Sequence, residues 1–334
     1  MNPHCFKLHF HTKKEKHLSK QAKYFKMAEF DFDKFFKLQM IAMKFVQCHP
    51  DTKLDKYWVL KNLIGLGPFT LYFILLINCM KCYIRKNDYF NAFRNGVPVM
   101  YYICMMLYYY LLIKHQTTVN NLIKSMKNDY AKACNMDIRR KTIIHNTAAK
   151  GKKIMKNWCV LMIATIVVFI VKSMCLTTYQ SKRHGELKLI PFYEMHYPLN
   201  FTERREHDKM IFAATFIGEM HFTTMSVFIF FCSVPLGPIF MLHACGQLDL
   251  IIVKFENIFE TDNVDENLND IVQNLQYIYS FVSEINKCFT FVYEVMLKQN
   301  MLLLPCTAYA IIQSISLGEI TIEYACILMQ GLFI

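Results

Sequence analysis

The run Asn62–Met80, NLIGLGPFTLYFILLINCM, is 19 residues long and carries no charge. A helix of that length rises about 28 Å at 1.5 Å per residue, close to the ~30 Å hydrocarbon core of a bilayer. The pattern recurs. Asn95–Ile113, NGVPVMYYICMMLYYYLLI, is a second uncharged run of 19 residues. Trp158–Tyr179 holds a single charge, Lys172, near its far end. Phe222–Leu242 is uncharged and forms most of a span from about 215 to 242, in which Pro235 and Pro238 predict a kink. A fifth run covers about Phe289–Gln313, with Glu294, Lys298 and Gln299 in its first half. A sixth starts near Ile320, and the sequence reaches Ile334 inside it. Four runs of this length with one charge among them argue against buried helices of a soluble domain. The expected fold class is all-α: a polytopic transmembrane helical bundle with about six spans present.

Orientation follows from the basic residues of the connecting segments. Lys114–Asn157 has eleven Lys and Arg against two acidic residues, and twelve Lys and Arg precede Tyr57. Both segments read as cytoplasmic, and two spans separate them, so the assignments agree. The loop 81–94, with Lys81, Arg85, Lys86 and Arg94, runs mildly against this pattern. Gln180–Lys209 then lies outside, and there Asn200-Phe201-Thr202 makes Asn200 a candidate glycosylation site. The net charge of +12 is thus concentrated on one membrane face, and nucleic acid is unnecessary to explain it. The domain division is 1–56 as a cytoplasmic N-terminal segment and 57–334 as the transmembrane domain. No apolar core of a signal peptide appears in the first 50 residues. Met27–His49 has Phe32, Phe35, Phe36, Met40, Met43 and Val46 at helical spacing, which predicts an amphipathic helix on the membrane or against the bundle.

The stretch MLHACGQLDLI, Met241–Ile251, places His243, Cys245, Gln247 and Asp249 where the fourth span ends. On a helix His243 and Cys245 point about 200° apart, so they do not share a metal ion. Ala244 and Gly246 favour close helix packing. Periodicity continues through Leu248, Ile252, Phe255 and Phe259, which predicts cytoplasmic helices over about 243–288. Glu256–Asp270 carries six acidic residues and no basic one, and reads as a solvated loop. Cys79 and Cys82 form a CxxC with no second pair at zinc spacing. Glu219 and His221 stand two apart on different helix faces, without a nucleophile or phosphate loop. No metal, no cofactor and no enzyme activity are expected.

Several stretches, in order, resemble the insect odorant receptor family. MLHACGQLDLI resembles the segment after the fourth span, and NNLIKSMKNDY (Asn120–Tyr130) the one after the second. IPFYEMHYPLN (Ile190–Asn200) is similar to the second outer loop, and IVQNLQYIYSFVSEINKCF (Ile271–Phe289) to the helix before the fifth span. Asn274 stands where the family often has His. LPCTAYAIIQ has a moth or butterfly character. The resemblance covers about 57–334.

It implies seven helices, an intracellular N-terminus and an odorant-binding subunit of a ligand-gated cation channel. The implied partners are a shared odorant coreceptor, a small volatile odorant and the lipid bilayer, in the plasma membrane of olfactory sensory neurons. The short acidic loop, where the coreceptor has a long insertion, implies a tuning receptor. His243, Cys245, Gln247 and Asp249 would then belong to the layer of subunit contacts. By the same analogy the ligand pocket lies among the second, third, fourth and sixth spans. Its candidates are Met100, Tyr101, Phe169, Ser173, Thr177, Phe222, Thr223, Met225 and Tyr324. The family's further C-terminal helix implies that 320–334 is a truncated span and that the chain is an incomplete receptor. The alternatives are a G-protein-coupled receptor, which the inside N-terminus and the lack of a DRY-like end to the third span disfavour, and a gustatory receptor.

Overall fold

The computed structural model describes residues 32–184, 189–191, 193, 195, 197, 201–260 and 263–316. Its helices are α1 (Phe32–Phe35), α2 (Lys37–Phe45), α3 (Lys56–Arg85), α4 (Tyr89–Lys114), α5 (Gln116–Ala133), α6 (Ile138–His184), α7 (Phe201–His207), α8 (Lys209–Ser233), α9 (Leu236–Glu256) and α10 (Val264–Ser316), with a 3₁₀ turn at Ile258–Glu260. No strand occurs among the described residues. Among the described residues, five stretches are long and apolar enough to cross a membrane: Lys56–Arg85, Tyr89–Lys114, Ile138–Tyr179, Lys209–Glu256 and Val264–Ser316. The chain is a multi-pass membrane protein. The sixth predicted span, 320–334, lies outside the described residues.

The helices outrun the apolar runs that announce them. Lys114–Asn157 reads as a basic connection, yet it forms α5 and the first part of α6. The reason is amphipathicity: Leu122, Ile123, Met126 and Tyr130 recur at helical spacing and are buried, as are Ile144 and Ala148. The acidic stretch 256–270 is loop only in part, because α10 starts at Val264 with Asp265 and Glu266 in its first turn. Carboxylates there face the positive end of the helix dipole. The predicted fourth span is interrupted between Ser233 and Leu236, at Pro235. The N-terminal amphipathic pattern is split into α1 and α2, with Phe32, Phe36, Met40, Met43 and Val46 buried; residues 27–31 of that pattern lie outside the described residues.

The chain divides into two compact units. The first, the His243 unit, comprises 32–37, Asn121–Lys152 and Ile239–Ser283. Phe32, Phe36, Met126, Tyr130, Phe240, Ile271, Ile278 and Phe281 form its core. α9 approaches α6 closely: a Cβ on Gly246 would lie 2.7 Å from Thr147 Oγ1 and 3.1 Å from its Cγ2. Only a residue without a side chain permits that approach.

The second, the Phe222 unit, comprises Leu38–Asn120, Lys153–Pro238 and 284–316. Within it α3, α4 and α8 pack on one another, and α7 packs on α8. Polar ties join these helices: Tyr108 donates to Gln299 at 2.9 Å, Tyr109 to Asn62 at 2.5 Å, and Tyr293 to the Val234 carbonyl at 3.1 Å. Several hydroxyls of the unit bond back into their own helix. In α8, Thr215, Thr223, Ser226 and Ser233 each donate to the carbonyl four residues earlier, at 3.0–3.1 Å. Burying a hydroxyl without such a partner is costly.

Candidate functional site

Inside the Phe222 unit, aromatic rings from α3, α4, α6, α8 and the segment before α7 converge. Phe222 of α8 is 2% exposed and lies at the centre. Its ring centroid is 4.8 Å from Phe69, 6.2 Å from Tyr102, 6.4 Å from Tyr72 and 6.0 Å from Tyr193. Tyr102 stacks on Phe73 at 3.9 Å, and Phe169 of α6 meets Tyr193 at 5.6 Å. The phenols are tied down: Tyr102 donates to Thr70 Oγ1 at 2.9 Å, Tyr72 to the Thr215 carbonyl at 3.1 Å, and Tyr193 shares a hydrogen bond of 3.1 Å with Thr223. Nearby, His221 Nε2 lies 2.8 Å from the Gly65 carbonyl. Such an arrangement offers apolar ring faces and edges with a few fixed hydroxyls, the chemistry that holds a small, mostly apolar molecule.

The segment that carries Tyr193 is fixed at both ends. Ser173 donates to the Ile190 carbonyl, and the Ile190 N–H donates to Thr177 Oγ1 at 3.0 Å. Further on, Tyr197 donates to Glu219 Oε1 at 2.9 Å, and Arg205 of α7 lies 3.4 Å from the same oxygen. Glu219 is fully buried and Arg205 is 4% exposed. The Arg205 guanidinium also sits 5.1 Å from the Tyr197 ring centre. Burial, and then the neighbouring Glu219 carboxylate, push the Tyr197 hydroxyl far above the usual phenol range. It remains a proton donor at any physiological pH.

The His243 unit has a polar centre of its own. His243 Nε2 lies 3.0 Å from Asp129 Oδ2, and the Tyr277 hydroxyl donates to the same oxygen at 2.9 Å. A carboxylate only accepts, so the Nε2–H of His243 donates. Tyr130 and Phe281 flank the imidazole at 5.6 Å and 5.4 Å between ring centres. Burial, and then Asp129, raise the Tyr130 hydroxyl above its usual range.

Residues 91–328 match the model of the 7tm Odorant receptor family. The chain belongs to the 7tm Odorant receptor family. Its fold is that of the insect olfactory receptor OR5 of Machilis hrabei. In the structure of that receptor in complex with eugenol, the TM-score is 0.68 at 12% identity, covering 90% of this chain and 76% of that one. A second structure of the same receptor gives a TM-score of 0.62 at 14% identity, covering 90% of this chain and 77% of that one. No curated protein matches this chain. The family is a receptor family, a different kind of protein from an enzyme.

The structure disperses the candidate residues of this odorant receptor family member. Phe169, Phe222 and Thr223 belong to the aromatic cluster. Met225 is buried on α8 beside Gly65, and Tyr101 is half-buried on α4. Ser173 and Thr177 hold the backbone at Ile190. Met100 lines a separate apolar cleft with Met80, Phe93 and Cys306. Tyr324 and Asn200 lie outside the described residues. Of the four subunit-contact candidates, His243 is buried on Asp129, Gln247 is half-buried, and Cys245 and Asp249 are exposed. The sequence reading did not single out Phe69, Tyr72, Tyr102, Tyr193, Tyr197 or Arg205. Phe69, Tyr72 and Phe73 share helical spacing on α3, a signal that marks a face without naming what it meets. Among the described residues no group of three His, Cys, Asp or Glu side chains is placed to hold a metal ion.

Proposed function

We propose that this chain is the odorant-binding subunit of a ligand-gated cation channel that assembles with an odorant coreceptor in the plasma membrane of olfactory sensory neurons. The observation that carries this reading is the aromatic cluster around Phe222, built from five separate segments and bordered by the anchored residues Ile190 and Tyr197, in a chain of the odorant receptor family. The ligand is small, volatile and mostly apolar, with one polar group to meet Thr223, Tyr193 or His221. Eugenol, the ligand of the Machilis hrabei complex, has that chemistry and is a suitable first probe. Binding shifts a closed–open equilibrium to the extent that the ligand prefers the open form. Subunit contacts use the exposed stripe Cys245, Leu248, Asp249, Ile252, Phe255 and Phe259 of α9 and the following turn, whose apolar members are 42–84% exposed. The N-terminus is cytoplasmic.

The deciding experiment is an odorant panel, eugenol included, on cells that express this chain with a coreceptor, read as cation current under G-protein blockade. Odorant-evoked current that needs this chain supports the proposal. Current that vanishes under the blockade would favour a G-protein-coupled receptor. Antibody access to an N-terminal tag without permeabilisation would overturn the orientation.

A further inference from the structure

The turn between α3 and α4 is basic and stands at the end of an apolar cleft. α3 ends at Arg85, Lys86 caps it, Asn87 takes a left-handed backbone (φ 58°), and Asp88 caps α4. Asn tolerates that conformation better than most residues. Residues 81–94 carry Lys81, Arg85, Lys86 and Arg94 against the single acid Asp88. Lys81, Arg85 and Lys86 are exposed.

The adjoining cleft has a volume of about 460 Å³ and is lined by Met80, Ile84, Phe93, Gly96, Met100 and Cys306 among others. That size is within the range of ~300–1,000 Å³ typical of ligand pockets. Phe93 meets Tyr309 of α10 edge-to-face at 5.9 Å. Room is made by Gly96, where a Cβ would meet only Met80 Sδ, at 3.7 Å. The cleft therefore lies along apolar helices, with Gly96 in its floor, and two of its lining residues, Ile84 and Tyr89, bracket the basic turn Arg85–Asp88 in the chain. It lacks the polar walls that a water-soluble ligand needs, and the basic turn would gain nothing from an uncharged odorant.

We propose that this cleft is a phospholipid site: one acyl chain lies in the groove along Gly96 and Met100, and the headgroup phosphate is held by Arg85 and Lys86. The membrane supplies such a molecule at saturating concentration, and its two parts match the two parts of the site. On the orientation proposed above, the same site accounts for basic residues on a loop that charge distribution would otherwise place inside. The site is separate from the aromatic cluster around Phe222, so its failure leaves the odorant reading untouched.

The test is lipid retention measured by native mass spectrometry of the purified chain after exchange into bilayer discs of palmitoyl-oleoyl phosphatidylglycerol, or of neutral lipid doped with the matching diacylglycerol. About one phosphatidylglycerol per chain is expected to survive delipidation, with no retained diacylglycerol. Arg85→Gln combined with Lys86→Gln weakens retention roughly 30-fold, at about fivefold per basic residue. Gly96→Phe abolishes it by filling the groove. Retention unaffected by Gly96→Phe would reduce the effect to surface charge and overturn the site. Equal retention of diacylglycerol would overturn the phosphate contact. A photo-crosslinking residue at position 93 in the otherwise unaltered chain provides a readout independent of those variants. Capture of a lipid acyl chain supports the site, whereas capture of odorant or of another part of this chain overturns it.

Discussion

Among the described residues, each unit buries one carboxylate and surrounds it with a nitrogen donor and a phenol, but the two are wired differently. Asp129 receives His243 and Tyr277, which lie 114 and 148 residues away along the chain and sit on two other helices. Glu219 receives Arg205 and Tyr197, only 14 and 22 residues before it. The first arrangement closes long loops of chain and fixes three helices of the His243 unit against one another. The second fixes a neighbouring segment, the strip that carries Tyr193 into the aromatic cluster. The same chemical device thus serves global packing in one unit and local loop placement in the other. The partners' distance along the chain, more than their chemistry, decides which.

The largest expected effect comes from Asp129→Ala. It leaves the buried His243 imidazole without its acceptor, frees the part-exposed Tyr277 hydroxyl, and should cost about 3–5 kcal/mol, the scale for removing one partner of a buried ion pair. Loss of the folded receptor from the cell surface and a broad fall in thermal stability in detergent are expected. A change confined to the residues around Asp129 in hydrogen exchange would break the comparison. Glu219→Gln keeps an acceptor for Tyr197 and removes the countercharge of Arg205, at a cost of about 3 kcal/mol, the lower end for a buried charge left without its partner. Its signature is local: faster proteolysis or hydrogen exchange over 189–207, and an odorant response shifted to higher concentration. A uniform destabilisation equal to that of Asp129→Ala would show that both centres are global. Gly246→Ala sharpens the His243 side. The added methyl meets Thr147 and should cost about 1–3 kcal/mol by overpacking. Thr147→Ala in the same chain should recover most of the loss, which a double-mutant cycle in thermal unfolding measures.

The smallest effect concerns a carboxylate that is neither deeply buried nor linked over distance. Asp88 caps α4 through Asn91, whose side chain and then backbone N–H hold the Asp88 carboxyl below its usual value of 3.8. Because the folded value is depressed, its contribution is complete above about pH 4 and is lost as pH falls through that lower value. Hydrogen exchange at the start of α4 should rise on acidification in that window, and Asp88→Asn should remove the dependence. An unchanged acid profile in that variant would assign the effect to another group.

These contrasts also mark what the sequence can express. The spans were legible because an uncharged run of 19 residues has few alternatives in water. The family was legible from the order of soft motifs, and of the residues singled out by that resemblance the fold brings Phe169, Phe222 and Thr223 into one cluster. Tyr102 and Phe69 were not, since helical spacing gives a residue's face but not the helix opposite. Arg205 reads as one base in a charged stretch, TERREHDK, and nothing local marks it as the one that is buried. Glu219 and His221 form a pair only in that they are neighbours in sequence. The fold separates them and gives Glu219 to Arg205 and Tyr197, and His221 to Gly65. The basic segment after α4 reads as a loop because charge dominates its composition, while a narrow apolar stripe sufficed to make it helical.

The hydroxyls of α8 have a consequence for biogenesis. Thr215, Thr223, Ser226 and Ser233 satisfy themselves within their own helix, so they place little burden on its passage from the translocon into lipid. Glu219 has no such recourse. A charged side chain at the centre of a lone helix costs roughly 2.5–3.5 kcal/mol to insert. The residues that relieve it, Tyr197 and Arg205, are synthesised just before α8 and belong to the segment leading into it. Insertion of this helix is therefore coupled to the placement of the segment that precedes it, and the ring cluster around Phe222 closes only once the two have met.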